Sequence, residues 1–326
     1  MNEVSTQPLN SSASVPASLS VIVPTYRRPA DLERCLAALD TQWRPADEVI
    51  VVVRDDDHAT HALLAARPAG PGTQNLRIAR VTQPGVVAAY NLGMETARGE
   101  ILCFTDDDAA PHRDWTQRLA EAFARDSTLG GIGGRDIVHQ LGAILQGAAP
   151  NVGLVSWYGR PVGNHHIGTG SARRVQVLKA VNMAFRRAAV HGVRFDERLR
   201  GSGAQVHCEM LFSLDVVRRD WKLVYDPTIL VDHFPAARSD DDQRYVFNRT
   251  AFYNASFNLR FIMRDHLSPA GRWAFIFYAT LIGTRADPGL GRALTLAFGR
   301  TGPTVAMQQW WIGVRALLGA WQQERR

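Results

Sequence analysis

The sequence predicts an α/β protein: a central parallel sheet with helices on both faces, followed by a helical C-terminal extension. Three observations predict it. Short, nearly continuous apolar runs alternate with segments of helical spacing between residues 19 and 105. Those runs end in charged or Gly/Pro turns. Beyond about residue 239 the strand signal stops and long helical periodicity replaces it. Strands apolar on both faces belong to parallel sheets, whose connections are crossover helices.

Each element has its own reason. Leu19 to Pro24 is an apolar strand stopped by Pro24, and Thr25-Tyr26-Arg27-Arg28-Pro29 is the turn after it. Ala30 to Leu39 follows with Leu32, Cys35, Leu36 and Leu39 at helical spacing. Glu48 to Val53 is a second strand, ending in Arg54-Asp55-Asp56-Asp57, with a helix running through Leu63 and Leu64. Leu76 to Val81 is a third strand; Pro84-Gly85 then breaks the chain before a helix from Val86 to Ala97. Ile101 to Thr105 is the fourth strand, and it runs into Asp106-Asp107-Asp108.

Ligands of such sheets bind at the carboxyl ends of the strands. The Thr25–Arg28 turn and both acidic clusters fall there. Three acids at one strand end repel one another, so a positive partner is expected beside them. A divalent cation carrying a polyphosphate answers this economically, since hard cations take oxygen ligands and share them with phosphates; taken alone, a triple acid is equally a solvated turn. Arg28 and Tyr26 suit a nucleotide diphosphate and its base. Asp55 or Asp56 would accept from a base N–H, or cap the helix that begins near His58.

Composition sets wider bounds. The 326 residues are 46% hydrophobic and 21% charged, ordinary for a globular chain that buries a sizeable core. The formal charge is +6, almost all of it arginine, since Lys179 and Lys222 are the only lysines. That basicity is compatible with nucleic acid, anionic lipid or nucleotide ligands. Cys35, Cys103 and Cys208 are too few and scattered for a disulfide framework or a zinc site, which fits a reducing compartment. Residues 1–17 lack an apolar targeting core and are expected to be a disordered tail.

Several segments together resemble glycosyltransferase family 2, a group of GT-A fold enzymes. They are Val21 to Arg28, Gly85 through Asn91-Leu92-Gly93, Ala97-Arg98-Gly99-Glu100, and Asp106-Asp107-Asp108. The second half adds Asn182-Met183-Ala184-Phe185, Phe195-Asp196-Glu197-Arg198-Leu199 and Leu223-Val224-Tyr225-Asp226-Pro227. The resemblance covers about residues 18 to 235. It implies a catalytic domain over 18–238, with a nucleotide-sugar half near 18–110 and an acceptor half near 111–238. It further implies Asp106 near the donor ribose and Asp108 on a Mg or Mn ion, with Pro24, Thr25, Gly85, Asn91 and Asp107 among the donor contacts.

The chain departs from that pattern twice. Tyr90 stands where the family often has Arg before its Asn, which puts the corresponding phosphate or base contact in doubt. Where the family shows a Glu-Asp pair opening a helix, this chain reads Gly201-Ser202-Gly203-Ala204-Gln205-Val206-His207-Cys208-Glu209. Counting back from Trp221 and Tyr225 places Glu209 at the second acid. An inverting transfer needs one carboxylate to deprotonate the acceptor hydroxyl, and Glu209 is the expected base. His207 is its competitor, and a first-turn acid complementing the helix dipole is the plainer role.

His233 follows the short strand Thr228 to Asp232, and the resemblance to GT-A enzymes implies it as a second metal ligand, with Asp232 as rival; a lone histidine at a strand end is otherwise structural or solvated. Residues 139–170 are Gly-rich, carry Trp157 and His165-His166, and form an acceptor-side loop; Asn182, Met183, His207 and Trp157 are expected on that side. From residue 239 onward, Tyr245 to His266 has helical spacing. An apolar run from Trp273 toward Gly283 follows, then a stripe of Trp310, Trp311, Val314, Leu317, Leu318 and Trp321. Such Arg-flanked helices either lie on a membrane interface or pack back on the domain.

The reading is a cytoplasmic, metal-dependent, inverting glycosyltransferase acting in bacterial surface-glycan or glycolipid assembly, at the inner face of the plasma membrane if its C-terminal helices bind lipid. Its expected partners are a nucleotide-sugar, a glycan or lipid-linked acceptor and an anionic membrane surface, without nucleic acid. The alternatives are a nucleotidyltransferase, which would want a Gly- and Lys-bearing phosphate loop absent from Thr25–Pro29, and a basic nucleic-acid-binding protein, whose module signatures are missing.

Overall fold

A computed structural model describes residues 17–236, 247–299 and 301–323. Most of the expected tail, residues 1–16, lies outside them. Strand β1 (Leu19–Thr25) is followed by α1 (Pro29–Asp40), β2 (Glu48–Arg54), α2 (His58–Ala66), β3 (Leu76–Val81), α3 (Val86–Thr96) and β4 (Ile101–Phe104). All are the elements expected from the apolar pattern. β1 pairs in parallel with both β2 and β4, and β2 with β3. Side chains alternate across β1, as a strand requires. Leu19, Val21 and Val23 pack toward α1, while Ile22 joins the opposite cluster with Val87 and Tyr90 of α3. Truncating one of these fully buried aliphatics to alanine should cost roughly 2–5 kcal/mol.

The second half continues the same sheet with mixed strand directions. It contains β5 (Ala109–Pro111), α4 (Trp115–Arg125), β6 (Leu129–Gln140), and the two-residue strands β7 (Ala143–Ile144), β8 (Leu154–Val155) and β9 (Pro161–Val162). Then come β10 (Arg173–Val175), β11 (Met183–Arg186), α5 (Cys208–Val217) and β12 (Lys222–His233). The main path runs β10-β12-β6-β11-β4-β1-β2-β3. β11 lies antiparallel between β4 and β6, and so joins the parallel half to the β6–β12 pair. β6 can cross this crowded centre because its glycines accept close neighbours: a Cβ on Gly134 would sit 1.9 Å from the Ile229 carbonyl oxygen.

The C-terminal helices are α6 (Arg249–His266), α7 (Pro269–Phe277), a π-helical turn (Tyr278–Ile282), α8 (Leu290–Ala297) and α9 (Pro303–Gln322). α6 starts four residues later than the spacing at Tyr245 implies; Asn248 caps it by accepting from the Thr250 and Ala251 amides, and residues 245 and 246 lie outside the described ones. Phe257 and Phe261 of α6 enter the same core as α3 and α5. α9 lays Gly313, Ala316 and Ala320 toward α6, where small side chains permit close approach. The buried Arg264 of α6 donates to the carbonyls of Ala320 and Gln323, 2.5 Å each, which stabilises the C-terminal end of α9.

Candidate active site

The ends of β1 and β4 bring two sequence-distant turns together. Thr25 Oγ1 donates to Asp107 at 2.8 Å, and Arg28 donates to the other oxygen of the same carboxylate at 2.9 Å. The Arg28 guanidinium also lies 3.8 Å from Asp108. The turn needs Arg27 in the left-handed region, φ 56°, and the Arg27 amide is held by Asp57. Burial raises the Asp107 carboxyl to about 7, although Arg28 pulls the other way. Burial and the neighbouring Asp108 charge likewise raise Asp106, which accepts from the Tyr90 hydroxyl at 3.3 Å.

Asp106, Asp108 and His233 each offer a ligand atom, and these atoms lie within 4.8 Å of one another. His233 comes from the end of β12, which ends beside β5, the strand that directly follows the three acids. Its two ring nitrogens are buried without a hydrogen-bond partner, 3.4 Å from Asp108 and 3.5 Å from Asp136. Burial would lower the imidazole, yet Asp108 and Asp136 carry it to about 9. Burial would likewise raise Asp108, but His233 holds it down to about 2. The protonated imidazole thus stands between carboxylates where a cation would otherwise sit. Buried oxygens with one imidazole are a fitting donor set for Mg or Mn. Asp136 is fully buried and paired with Lys179. Neither residue stands out in the sequence, apart from Lys179 being one of two lysines.

The opposite wall comes from the broken segment before α5. Gly203 and Gln205 cap α3: the Gly203 carbonyl accepts from the Val86 amide at 2.9 Å, and the Gln205 side chain accepts from Val87 at 3.0 Å. Gln205 also donates to the Leu199 carbonyl. Gln205 and His207 both have positive φ, 41° and 77°, so the chain doubles back before Cys208 starts the helix. Glu209 therefore sits in the first turn of α5. Tyr90 and Cys208 line the same cavity as Asp106 and Glu209.

A cavity of 380 Å³ joins these parts: it is lined by Pro24, Thr25, Tyr26, Arg28 and Gly85, by Asp106 to Asp108 and His233, and by His207 and Glu209. That size suits a nucleotide-sized ligand. A second cavity of 340 Å³ shares Lys179, His207 and Glu209 with it, and is walled by Leu154, Pro161 and Val162 of the β8–β9 hairpin. Glu209 thus borders both spaces. Burial pushes His207 down to about 4, so it is neutral at pH 7.

Other expected site residues lie elsewhere. Asn182 is buried and spends its amide on the Trp115 indole N–H and on backbone carbonyls, and Met183 is in the strand core. Trp157 is 70% exposed at the tip of its hairpin, beside α7 rather than in the cavity. Asn91 does not line this cavity; it braces the Phe195 backbone, donating to its carbonyl and accepting from its amide. The cap of α2 is Asp57, neither Asp55 nor Asp56. Asp56 instead accepts from Tyr26 and pairs with Arg54, whose guanidinium stacks 4.2 Å over the Tyr26 ring. Asp55, exposed beside it, does not line the cavity. Asp232 is engaged by His112 and His139, which removes it as a rival to His233.

Residues 20–144 match the family described as Glycosyl transferase family 2. Glycosyltransferase AglE of Haloferax volcanii is 30% identical over 190 residues, 58% of this chain and 59% of that protein. The uncharacterized glycosyltransferase YibD of Escherichia coli K12 is 30% identical over 90 residues, 28% of this chain and 26% of its own length. The chain thus spans less than two thirds of these relatives. Among solved structures, the mannosyltransferase PcManGT of Pyrobaculum calidifontis, in complex with GDP-Man and Mn2+, superposes with a TM-score of 0.57 at 18% identity, over 96% of this chain and 89% of that one. S. aureus TarS 1-349 in complex with UDP-GlcNAc gives 0.56 at 18%, covering 93% and 81%. At such identities the likeness is one of GT-A fold.

Proposed function

We propose, from the match of residues 20–144 to glycosyltransferase family 2, that this chain moves a sugar from a nucleotide-diphosphate donor to an acceptor hydroxyl, with inversion, in surface-glycan or glycolipid assembly on the cytoplasmic side of a membrane. The observation that carries this reading is that one cavity is lined both by a cation-ready acid–histidine cluster and by the Glu209 carboxylate. The donor class is supported by PcManGT and TarS, whose structures hold GDP-Man and UDP-GlcNAc.

Each group has a distinct task. Tyr26, backed by Arg54, offers a flat face to the base, and Arg28 offers its guanidinium fork to the diphosphate. Asp106, Asp108 and His233 would hold Mg or Mn, which when bound supplies charge neutralisation for the leaving diphosphate. Glu209 takes the proton of the acceptor hydroxyl as its oxygen bonds to the anomeric carbon. The bond from that carbon to the phosphate oxygen breaks in the same step, and the diphosphate leaves with the electron pair.

A panel of UDP-, GDP- and dTDP-sugars with Mg or Mn, scored by thermal shift and then by turnover, tests this. The right donor at a hundredfold over its Kd should stabilise the protein by ~2.7 kcal/mol. Preference for a nucleoside triphosphate with a sugar phosphate, releasing pyrophosphate, would replace this reading with nucleotidyl transfer.

A further inference from the structure

The helices after residue 268 turn one face to α6 and the core and leave the other uncovered. Exposed apolar side chains gather on that outer face: of the fifteen large hydrophobic residues exposed among the described ones, eight lie between Trp273 and Leu318. They follow the helical period. Trp273, Phe277 and Leu281 recur every four residues along α7 and the π-helical turn, with Trp273 75% exposed. Leu294 and Phe298, the latter 93% exposed, do the same at α8. On α9 Trp311, Arg315 and Leu318 form the outward stripe, while Trp310 turns inward and donates to the Thr280 carbonyl. α8 packs against both the π-helical turn and α9, so the three stripes belong to adjoining elements.

Charge marks the same region. Residues 267–326 hold seven arginines, no lysine and only two acids. One of those acids, Asp287, is neutralised inward by Arg260 at 2.7 Å and accepts from Ser256. Arg285, Arg292 and Arg315 are exposed beside the apolar stripes. No helix among the described residues is long and apolar enough to cross a membrane. Aromatic side chains interleaved with exposed arginines match an anionic interface, where rings enter the headgroup boundary and guanidinium groups meet phosphates.

We propose that this face, the outer side of α7, the π-helical turn, α8 and α9, docks on the surface of an anionic lipid bilayer. The docking face adjoins the β8–β9 hairpin: Tyr158 packs edge-on against Tyr278, ring centroids 5.0 Å apart, and Gly159 abuts Phe275. The same hairpin walls the second cavity beside Glu209. The C-terminal helices alone would make this contact, whatever reaction the cavity performs.

Co-sedimentation of the full chain with phosphatidylcholine vesicles, with and without phosphatidylglycerol, reads it directly, with tryptophan emission as a second signal. Binding should require phosphatidylglycerol and weaken strongly between about 0.05 and 0.5 M salt, as the Debye length shortens. W273E/F277E removes two solvent-facing rings without touching the core, and should lower vesicle affinity by at least about tenfold. R285E/R292E/R315E should do likewise while leaving thermal stability near wild type. Equal binding to neutral vesicles, no binding at low salt, or retention of binding in both variants overturns the proposal. Self-association in solution that W273E/F277E abolishes, without vesicle binding, would show a second copy as the occupant instead.

Discussion

The two walls of the cavity are built in different ways. The donor wall comes from the carboxyl ends of adjacent parallel strands, and its residues lie in two short runs, 24–28 and 106–108. Strand pairing sets their spacing, so Thr25 and Arg28 reach Asp107 across about eighty residues of sequence. The opposite wall depends on one irregular segment: Gly201 at φ 129°, then Gln205 and His207 in the left-handed region, turn the chain so that Glu209 heads α5. A sheet fixes geometry through many mutually supporting pairs, whereas this wall rests on a few caps. The donor wall should therefore fail by loss of charge, and the other by loss of position.

Asp108→Asn should have the largest effect. It removes a cation ligand and a partner of His233 together, so metal-dependent donor binding, followed by calorimetry, should vanish while the circular dichroism spectrum persists. A folded variant with wild-type metal dependence would leave the donor wall without its proposed role.

Next is pH. A cation that takes the His233 imidazole must displace a proton held with a pKa of about 9. Affinity for Mn or Mg should then climb about tenfold per pH unit from 7 toward 9 and level off above. Stability of the metal-free protein should move oppositely. A histidine raised above its unfolded value of 6.5 contributes fully below that value, and its contribution fades as pH rises through about 9. A melting series from pH 6.5 to 9.5, with and without cation, separates the two trends.

Gln205→Ala probes the opposite wall. It strips a cap from α3 and a brace from the Leu199 carbonyl, so about 1 kcal/mol of stability should be lost. Acceptor KM should rise more than donor KM. Tyr90→Phe should be mildest, removing one 3.3 Å hydrogen bond to Asp106 and weakening donor affinity by no more than about tenfold. A larger loss on the acceptor side would move Tyr90 to the other wall.

The contrast also explains what was legible in the sequence. Apolar period and strand-end charge marked β1 to β4 and their helices, and with them Thr25, Arg28 and the three acids. His233 is singled out only by the resemblance to GT-A enzymes, since a histidine after a short strand is by itself unremarkable. Less visible was whatever depended on long-range contact. Asp136 looks ordinary until β6 and β12 pair and bring it to His233, and Lys179, from the segment before β11, then pairs with the same carboxylate. Asn91 and Asn182 resembled site residues because both sit in family-like motifs, yet they brace Phe195 and Trp115. The mixed half of the sheet was hidden for a related reason. Its glycine-rich β6 lacks the apolar density that flags a buried strand, although close packing requires those glycines. Of the two sequence readings of the C-terminal helices, packing back on the domain holds for the small-residue face that α9 lays on α6, while Trp311 and Leu318 are exposed.

The division of labour between the walls is tested most directly by Glu209→Gln, measuring donor binding and sugar transfer on one preparation. The substitution keeps size and hydrogen bonding while removing the proton acceptor. Donor affinity should stay at wild type and transfer should fall by at least ~10²-fold, with His207→Ala costing little. Full transfer by Glu209→Gln together with loss in His207→Ala would contradict the account and place the base two residues earlier.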